Sequence, residues 1–264
     1  MTDPNKTLLP ENGATPTHKQ VVTSITTAKE DVQTTLEHQD TENRKSFLKR
    51  LEGKVPDGEL MKIEFAYDMA KSAHAHKGAT RDDGKTRYFE HPRQGCLVLM
   101  DELGCYDPKL LISFLFHDVG EDTPLLGNIL EDYHAWVKNA TFRLNQLYAN
   151  TAPIVIALTK PAIDQKTFFS KEEVYEYYFS QLRSNENALL LKMVDRLINL
   201  RDMKSCTPEK IIKQLKETEE KYLPMFRSFI ENTPNEEYKI MGRKLLEKIS
   251  ERMEILSQGL TQNH

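Results

Sequence analysis

An all-α fold is what this sequence predicts, on three observations. From Lys45 onward apolar residues recur at three- and four-residue spacing almost without interruption. No stretch of convincing length alternates with period two, as a half-buried strand would. No internal repeat of solenoid length is present.

The elements follow in order. Residues 1–42 are rich in Thr, Asn, Gln, Pro and Glu with few aromatics, so they read as a mobile leader with at most one weak helix over Val21 to Leu36. Residues 43–264 read as one helical domain. Ile63, Ala66, Ala70 and His74 share a helix face, giving an amphipathic helix over Glu59 to Lys77 with His74 on its inner side. The stretch GATRDDGKTRYFEHP breaks the period with two glycines and a proline and reads as a loop. Pro92 opens the next helix, which runs to about Leu103. A helix over Pro108 to Asp122 carries the run LLISFLF and is stopped by Thr123-Pro124. Further helices are expected at 127–148, 152–159, 171–183, 186–203, 208–230 and 236–258.

Composition narrows the class. With 264 residues, 29% charged and 39% hydrophobic, the chain can bury a sizeable core. Its 36 Lys and Arg against 40 Asp and Glu give a net charge of −4, which exerts no general pull on nucleic acid or an anionic membrane. No apolar run approaches the roughly 20 residues of a bilayer span, and the first residues lack the order of a secretory signal. Cys96, Cys105 and Cys206 form no CxxC pair, which fits a reducing cytoplasm better than a disulfide framework.

Three segments carry the chemistry. His117-Asp118-Val119-Gly120-Glu121-Asp122 ends an apolar helix, and on a continuous helix His117 lies one turn from Glu121 and Asp118 one turn from Asp122. Carboxylates this close repel, so a proton, a basic partner or a bound cation must compensate; the competing reading is a solvated acidic helix end. Asp195 interrupts the apolar helix ALLLKMVDRLINLRDM, on the side of Leu191, Ile198 and Asp202, with Asn199 one turn on. A carboxylate on an apolar face needs a partner or a metal. Arg196 and Arg201 point elsewhere around the helix, so the partner is expected from another segment. The third piece is His91 in Tyr88-Phe89-Glu90-His91-Pro92, which taken alone reads as a capping or core histidine.

Together the three segments are similar to the HD-superfamily phosphohydrolases, whose signature is a histidine, then a His-Asp pair, then a distant aspartate. The narrower resemblance is to the RelA/SpoT-type alarmone hydrolase domain and its small single-domain relatives in metazoans. It rests on AHAHKGATR at 73–81, YFEHP at 88–92, LFHDVGEDT at 115–123 and KMVDRLINLR at 192–201, and spans about residues 60 to 225. Gly120 stands where that family commonly has valine. The loop Arg81-Asp82-Asp83-Gly84 has one residue more than usual, Arg87 stands where a proline is common, and Ile198 replaces a frequent histidine.

The resemblance implies an HD-domain helical bundle in which His91, His117, Asp118 and Asp195 bind one divalent metal, typically Mn2+. It implies that Glu121 and Asp122 orient a water and manage its protons. It also implies a basic loop of Lys77, Arg81, Lys85 and Arg87 able to hold phosphate, and Asn199 contacting ribose or phosphate; within that loop Lys77 and Arg81 are read as site residues, and Lys85 and Arg87 as solvated. The reaction implied is removal of the 3′-pyrophosphate of guanosine tetra- or pentaphosphate, or of a related purine alarmone, a small-molecule substrate. Two alternatives stay open: another HD reaction on a nucleoside monophosphate or NADPH, and a helical protein that binds alarmone without turnover. Too little chain follows residue 225 for a synthetase domain.

Overall fold

The computed structural model describes residues 43–75, 86–130, 132–164 and 166–262; the expected leader and the loop residues Lys77, Arg81 and Lys85 lie outside them. Among the described residues the chain is helical and contains no strand, as the apolar spacing requires. No helix among them is long and apolar enough to cross a membrane.

The first helices are α1 (Arg44–Lys49), α2 (Asp57–Ala75) and α3 (Glu90–Leu97), the last running straight into a wider π-turn, Val98–Glu102. Then come α4 (Pro108–Phe116), α5 (Val119–Asp122), α6 (Tyr133–Leu147) and α7 (Ala152–Leu158). The chain continues with α8 (Lys171–Arg183), α9 (Glu186–Arg201), α10 (Pro208–Glu217), a second π-turn at Thr218–Tyr222, α11 (Leu223–Asn232) and α12 (Glu236–Gln262).

Local chemistry sets many of these limits. Asp107 caps α4 by accepting from the Lys109 amide at 2.8 Å, with Pro108 in the first turn, where a missing N–H costs nothing. Ser170 and Glu173 form a reciprocal capping box at the start of α8. Asn185 caps α9 through the Ala188 amide at 3.1 Å.

Several boundaries differ from the sequence reading. Pro92 does not open its helix; α3 begins at Glu90, which still leaves the proline within the first turn. The expected helix over 208–230 is α10 and α11 joined by the π-turn, since apolar spacing does not separate a four-residue from a five-residue hydrogen-bond register. The segment expected as one helix over 108–122 is broken after Phe116. There His117 Nδ1 donates to the Phe114 carbonyl at 2.7 Å, occupying the acceptor that a continuing helix would offer Asp118. Asp118 sits at φ −91°, ψ −11°, and α5 starts afresh at Val119.

The core brings the chemical segments together. Helix α2 packs its buried Ile63, Ala66, Tyr67 and Ala70 on α4, whose residues Leu110 to Phe116 are all buried. Helix α9, buried over most of its length, packs on α3, α4 and α12. Gly95 makes the approach of α3 to α4 possible: a Cβ there would stand 1.8 Å from Phe114 Cε1. Gly95 is one turn beyond His91, and Phe114 one turn before the His-Asp pair. Their contact therefore sets the histidine rings of the two helices 5.2 Å apart.

Candidate metal centre and adjoining cleft

His91 on α3, His117 at the end of α4 and Asp195 on α9 are buried, and half-buried Asp118 at the start of α5 converges on them. His91, His117 and Asp118 each offer a ligand atom within 4.8 Å of the other two, the arrangement of a metal site. His91 Nε2 lies 2.9 Å from Asp195 Oδ1 and 3.7 Å from Asp118 Oδ2. His117 Nε2 lies 3.1 Å from Asp118 Oδ1 and 3.7 Å from Asp195 Oδ1, yet it is buried without an aligned hydrogen bond. Because Nδ1 of His117 is committed to the Phe114 carbonyl, Nε2 is the nitrogen that faces the carboxylates. A buried imidazole nitrogen with no aligned hydrogen bond, facing two carboxylates and near a second imidazole, suits a divalent cation of borderline softness.

Charge in the cluster is balanced without an ion by two routes. Burial disfavours imidazolium at His117, but Asp118 and Asp195 more than offset it and raise the group to about 9. Burial likewise opposes the Asp195 carboxylate, and the Lys192 ammonium, with His117 and His91, still holds it well below the usual carboxylate range. Lys192 Nζ is 2.8 Å from Asp195 Oδ2. The sequence reading expected Asp195 to pair outside its own helix. His91 fulfils that, but Lys192, three residues back on the same helix, is a second partner that the reading missed. Arg196 and Arg201 do face other groups, Gln214 at 2.6 Å and Glu102 at 2.6 Å.

Glu121 stands apart from the three-residue cluster and points into a polar cleft of about 320 Å³. The cleft is also lined by Lys160, Lys192, Arg196, Asn199 and Lys210, with Tyr175, Tyr178 and Tyr222 between the cations. Glu121 is open to solvent by area, but its carboxylate is crowded by the cleft walls. Loss of water around the carboxylate from that crowding, with Asp118 nearby, pushes it up to about 7, against the Lys160 amide, which donates to Oε1. Asp122 ends α5 half-buried and is not part of the cluster.

Asn199 lines the cleft, and its amide donates to Asp195 Oδ1 at 2.8 Å, so it braces the carboxylate as well as facing the cleft. Arg87 pairs with Glu90 at 2.7 Å and is 71% exposed, matching the solvated reading. His74 is buried and stacks on Tyr88, as its helix face requires. The cleft cations Lys160 and Lys210 carried no signal in the sequence. Lys192 and Arg196 did lie within a recognised segment, and a lysine three residues before a buried aspartate could have marked the pair.

The chain matches no family model. It is similar to the guanosine-3′,5′-bis(diphosphate) 3′-pyrophosphohydrolase MESH1 of Xenopus tropicalis, 32% identical over 139 residues, 52% of this chain and 68% of that protein. The human MESH1 protein is 29% identical over the same shares of both chains. The bifunctional (p)ppGpp synthase/hydrolase SpoT of Escherichia coli K12 is 29% identical over 178 residues, 65% of this chain but only 22% of SpoT. At this identity and coverage, and with this convergence of helical segments, the chain belongs to the RelA/SpoT-type HD hydrolases.

Proposed function

We propose that the protein hydrolyses the 3′-pyrophosphate of guanosine-3′,5′-bis(diphosphate), its pentaphosphate or a closely related purine alarmone, releasing pyrophosphate. The observation that carries this reading is the adjacency of two parts. One is a largely buried cluster of two imidazoles and two carboxylates, with Asp118 half-buried; the other is a cleft in which Glu121 faces Lys160, Lys192, Arg196 and Lys210. Both named relatives with high coverage are called 3′-pyrophosphohydrolases of this nucleotide, which supports the substrate class.

In this reading His91, His117, Asp118 and Asp195 hold one divalent cation, manganese being the candidate. When bound, it supplies Lewis-acid polarisation at the reacting phosphate. The remaining steps belong to side chains. Lysines and Arg196 along the cleft offset the substrate's negative charge, the arginine with a planar fork suited to phosphate oxygens. Glu121, whose carboxyl titrates near neutrality, accepts a proton from the attacking water, with the Lys160 amide fixing its orientation. Asp122, next in sequence, shares that proton handling. The new oxygen–phosphorus bond replaces the bond to the 3′ oxygen, which leaves as an alcohol after protonation. Lys77 and Arg81 are assigned to phosphate binding from the sequence, and the protein is assigned to the cytoplasm as a small-molecule enzyme without nucleic-acid or membrane partners.

The test is incubation of the purified protein with manganese, magnesium or zinc and a panel of nucleotides, with products separated by anion exchange. Turnover of 3′-pyrophosphorylated purine nucleotides, best with manganese, is expected. Turnover confined to nucleoside monophosphates or NADPH would reassign the reaction.

A further inference from the structure

Gly120 is buried in α5, between Asp118 and Glu121. Its backbone does not occupy the left-handed region, so a demand for space, not for conformational freedom, explains the glycine. A Cβ at this position would meet Trp136 Cζ2 at 2.7 Å, Thr159 Oγ1 at 3.1 Å and Thr159 Cγ2 at 3.3 Å. Neither neighbour can easily retreat. The Trp136 indole is buried and stacks on Tyr133 with centroids 5.8 Å apart. Thr159 is buried too, its hydroxyl donating to the Val155 carbonyl at 2.8 Å. The next residue after Thr159 is Lys160, whose backbone N–H donates to Glu121 Oε1. The gap left by the missing side chain is therefore what lets the end of α7 close on α5 and grip Glu121.

We infer that Gly120 is a positioning residue: with Trp136 and Thr159 packed on its Cα, it seats the Lys160 amide on Glu121 for the proposed hydrolysis. The inference rests on that functional reading for its effect on turnover, but not for its effect on the hydrogen bond. Because the indole edge stands where a Cβ would, Gly120 and Trp136 form a matched pair in this chain. A close-packed contact of this kind transmits a methyl group's volume as displacement.

Two readouts test it, each in the wild type, Gly120→Ala, Trp136→Phe and the double variant. Hydrogen exchange at the Lys160 amide should quicken in Gly120→Ala and return toward its Trp136→Phe rate in the double variant, where the clashing indole edge is gone. In the manganese-loaded enzyme, Gly120→Ala should lower kcat roughly 10- to 100-fold, the scale of an ångström misplacement, with KM nearly unchanged. The same change in the Trp136→Phe background should cost far less. Unchanged Lys160 exchange in Gly120→Ala, or an equal kcat loss in both backgrounds, would overturn the inference. Should Gly120→Ala fail to fold, a folded double variant with restored exchange supports it, and a double variant that also fails overturns it. A wild type without hydrolysis removes the functional reading, while the exchange comparison still decides the contact.

Discussion

Lys192 Nζ stands 2.8 Å from Asp195 Oδ2, while the other oxygen of that carboxylate stands 2.9 Å from His91 Nε2. One buried aspartate thus faces a permanent cation on one side and the candidate metal position on the other. Removing one member of a buried ion pair costs about 3–5 kcal/mol when nothing else compensates. Here the two histidines compensate in part, so Lys192→Met should destabilise the metal-free protein by about 2–3 kcal/mol. Excess manganese should recover much of that loss. Thermal unfolding with and without metal checks this; equal destabilisation in both states would contradict it.

Asp118→Ala should lose bound metal and turnover together, because Asp118 presents a carboxylate oxygen to each histidine. His117→Ala should do the same. Elemental analysis after dialysis against limiting manganese gives the stoichiometry. Either variant retaining one metal per chain with full turnover would remove these residues from the ligand set.

Glu121→Gln should keep the metal and lose roughly 100-fold or more in kcat, the usual scale for a general acid–base group. Since Glu121 is held near 7 and acts ionised, wild-type kcat should rise with pH through that value and then level off. The variant's residual rate should lack this acidic limb. A limb that persists unchanged in Glu121→Gln assigns the titration to another group.

Metal uptake should itself depend on pH. Without metal, His117 is held at about 9 by Asp118 and Asp195 against burial, so below that pH a proton occupies the imidazole that would bind the ion. Apparent metal affinity should rise by about tenfold per pH unit up to about 9 and then flatten, with release of a proton on binding. The sign reverses for stability of the metal-free protein. A histidine raised from 6.5 stabilises fully below 6.5, and that contribution is lost as pH rises through about 9. Calorimetry in buffers of different ionisation enthalpy counts the proton; no release near pH 7 would contradict the assignment.

The helical class and most helix limits were legible because buried faces such as Ile63, Ala66 and Ala70 repeat at the helical period. The convergence of His91, His117, Asp118 and Asp195 was legible only through motif order; periodicity alone placed each on a helix without saying which helices meet. What set the meeting was a local close approach, Gly95 against Phe114, which no pattern announces. The break after Phe116 was hidden for a similar reason: a side-chain hydrogen bond from His117 outcompetes a helix that the apolar run would otherwise extend. The cleft cations Lys160 and Lys210 come from segments far apart in sequence, and nothing in their surroundings distinguishes them from solvated lysines.

The most direct measurement is a phosphorus NMR time course of the manganese-loaded protein, quenched with chelator, acting on guanosine-3′,5′-bis(diphosphate). One pyrophosphate and one guanosine 5′-diphosphate are expected for each substrate consumed, with the Glu121→Gln protein nearly silent. Orthophosphate as the first product, or an unchanged alarmone beside hydrolysed nucleoside monophosphate, would contradict it.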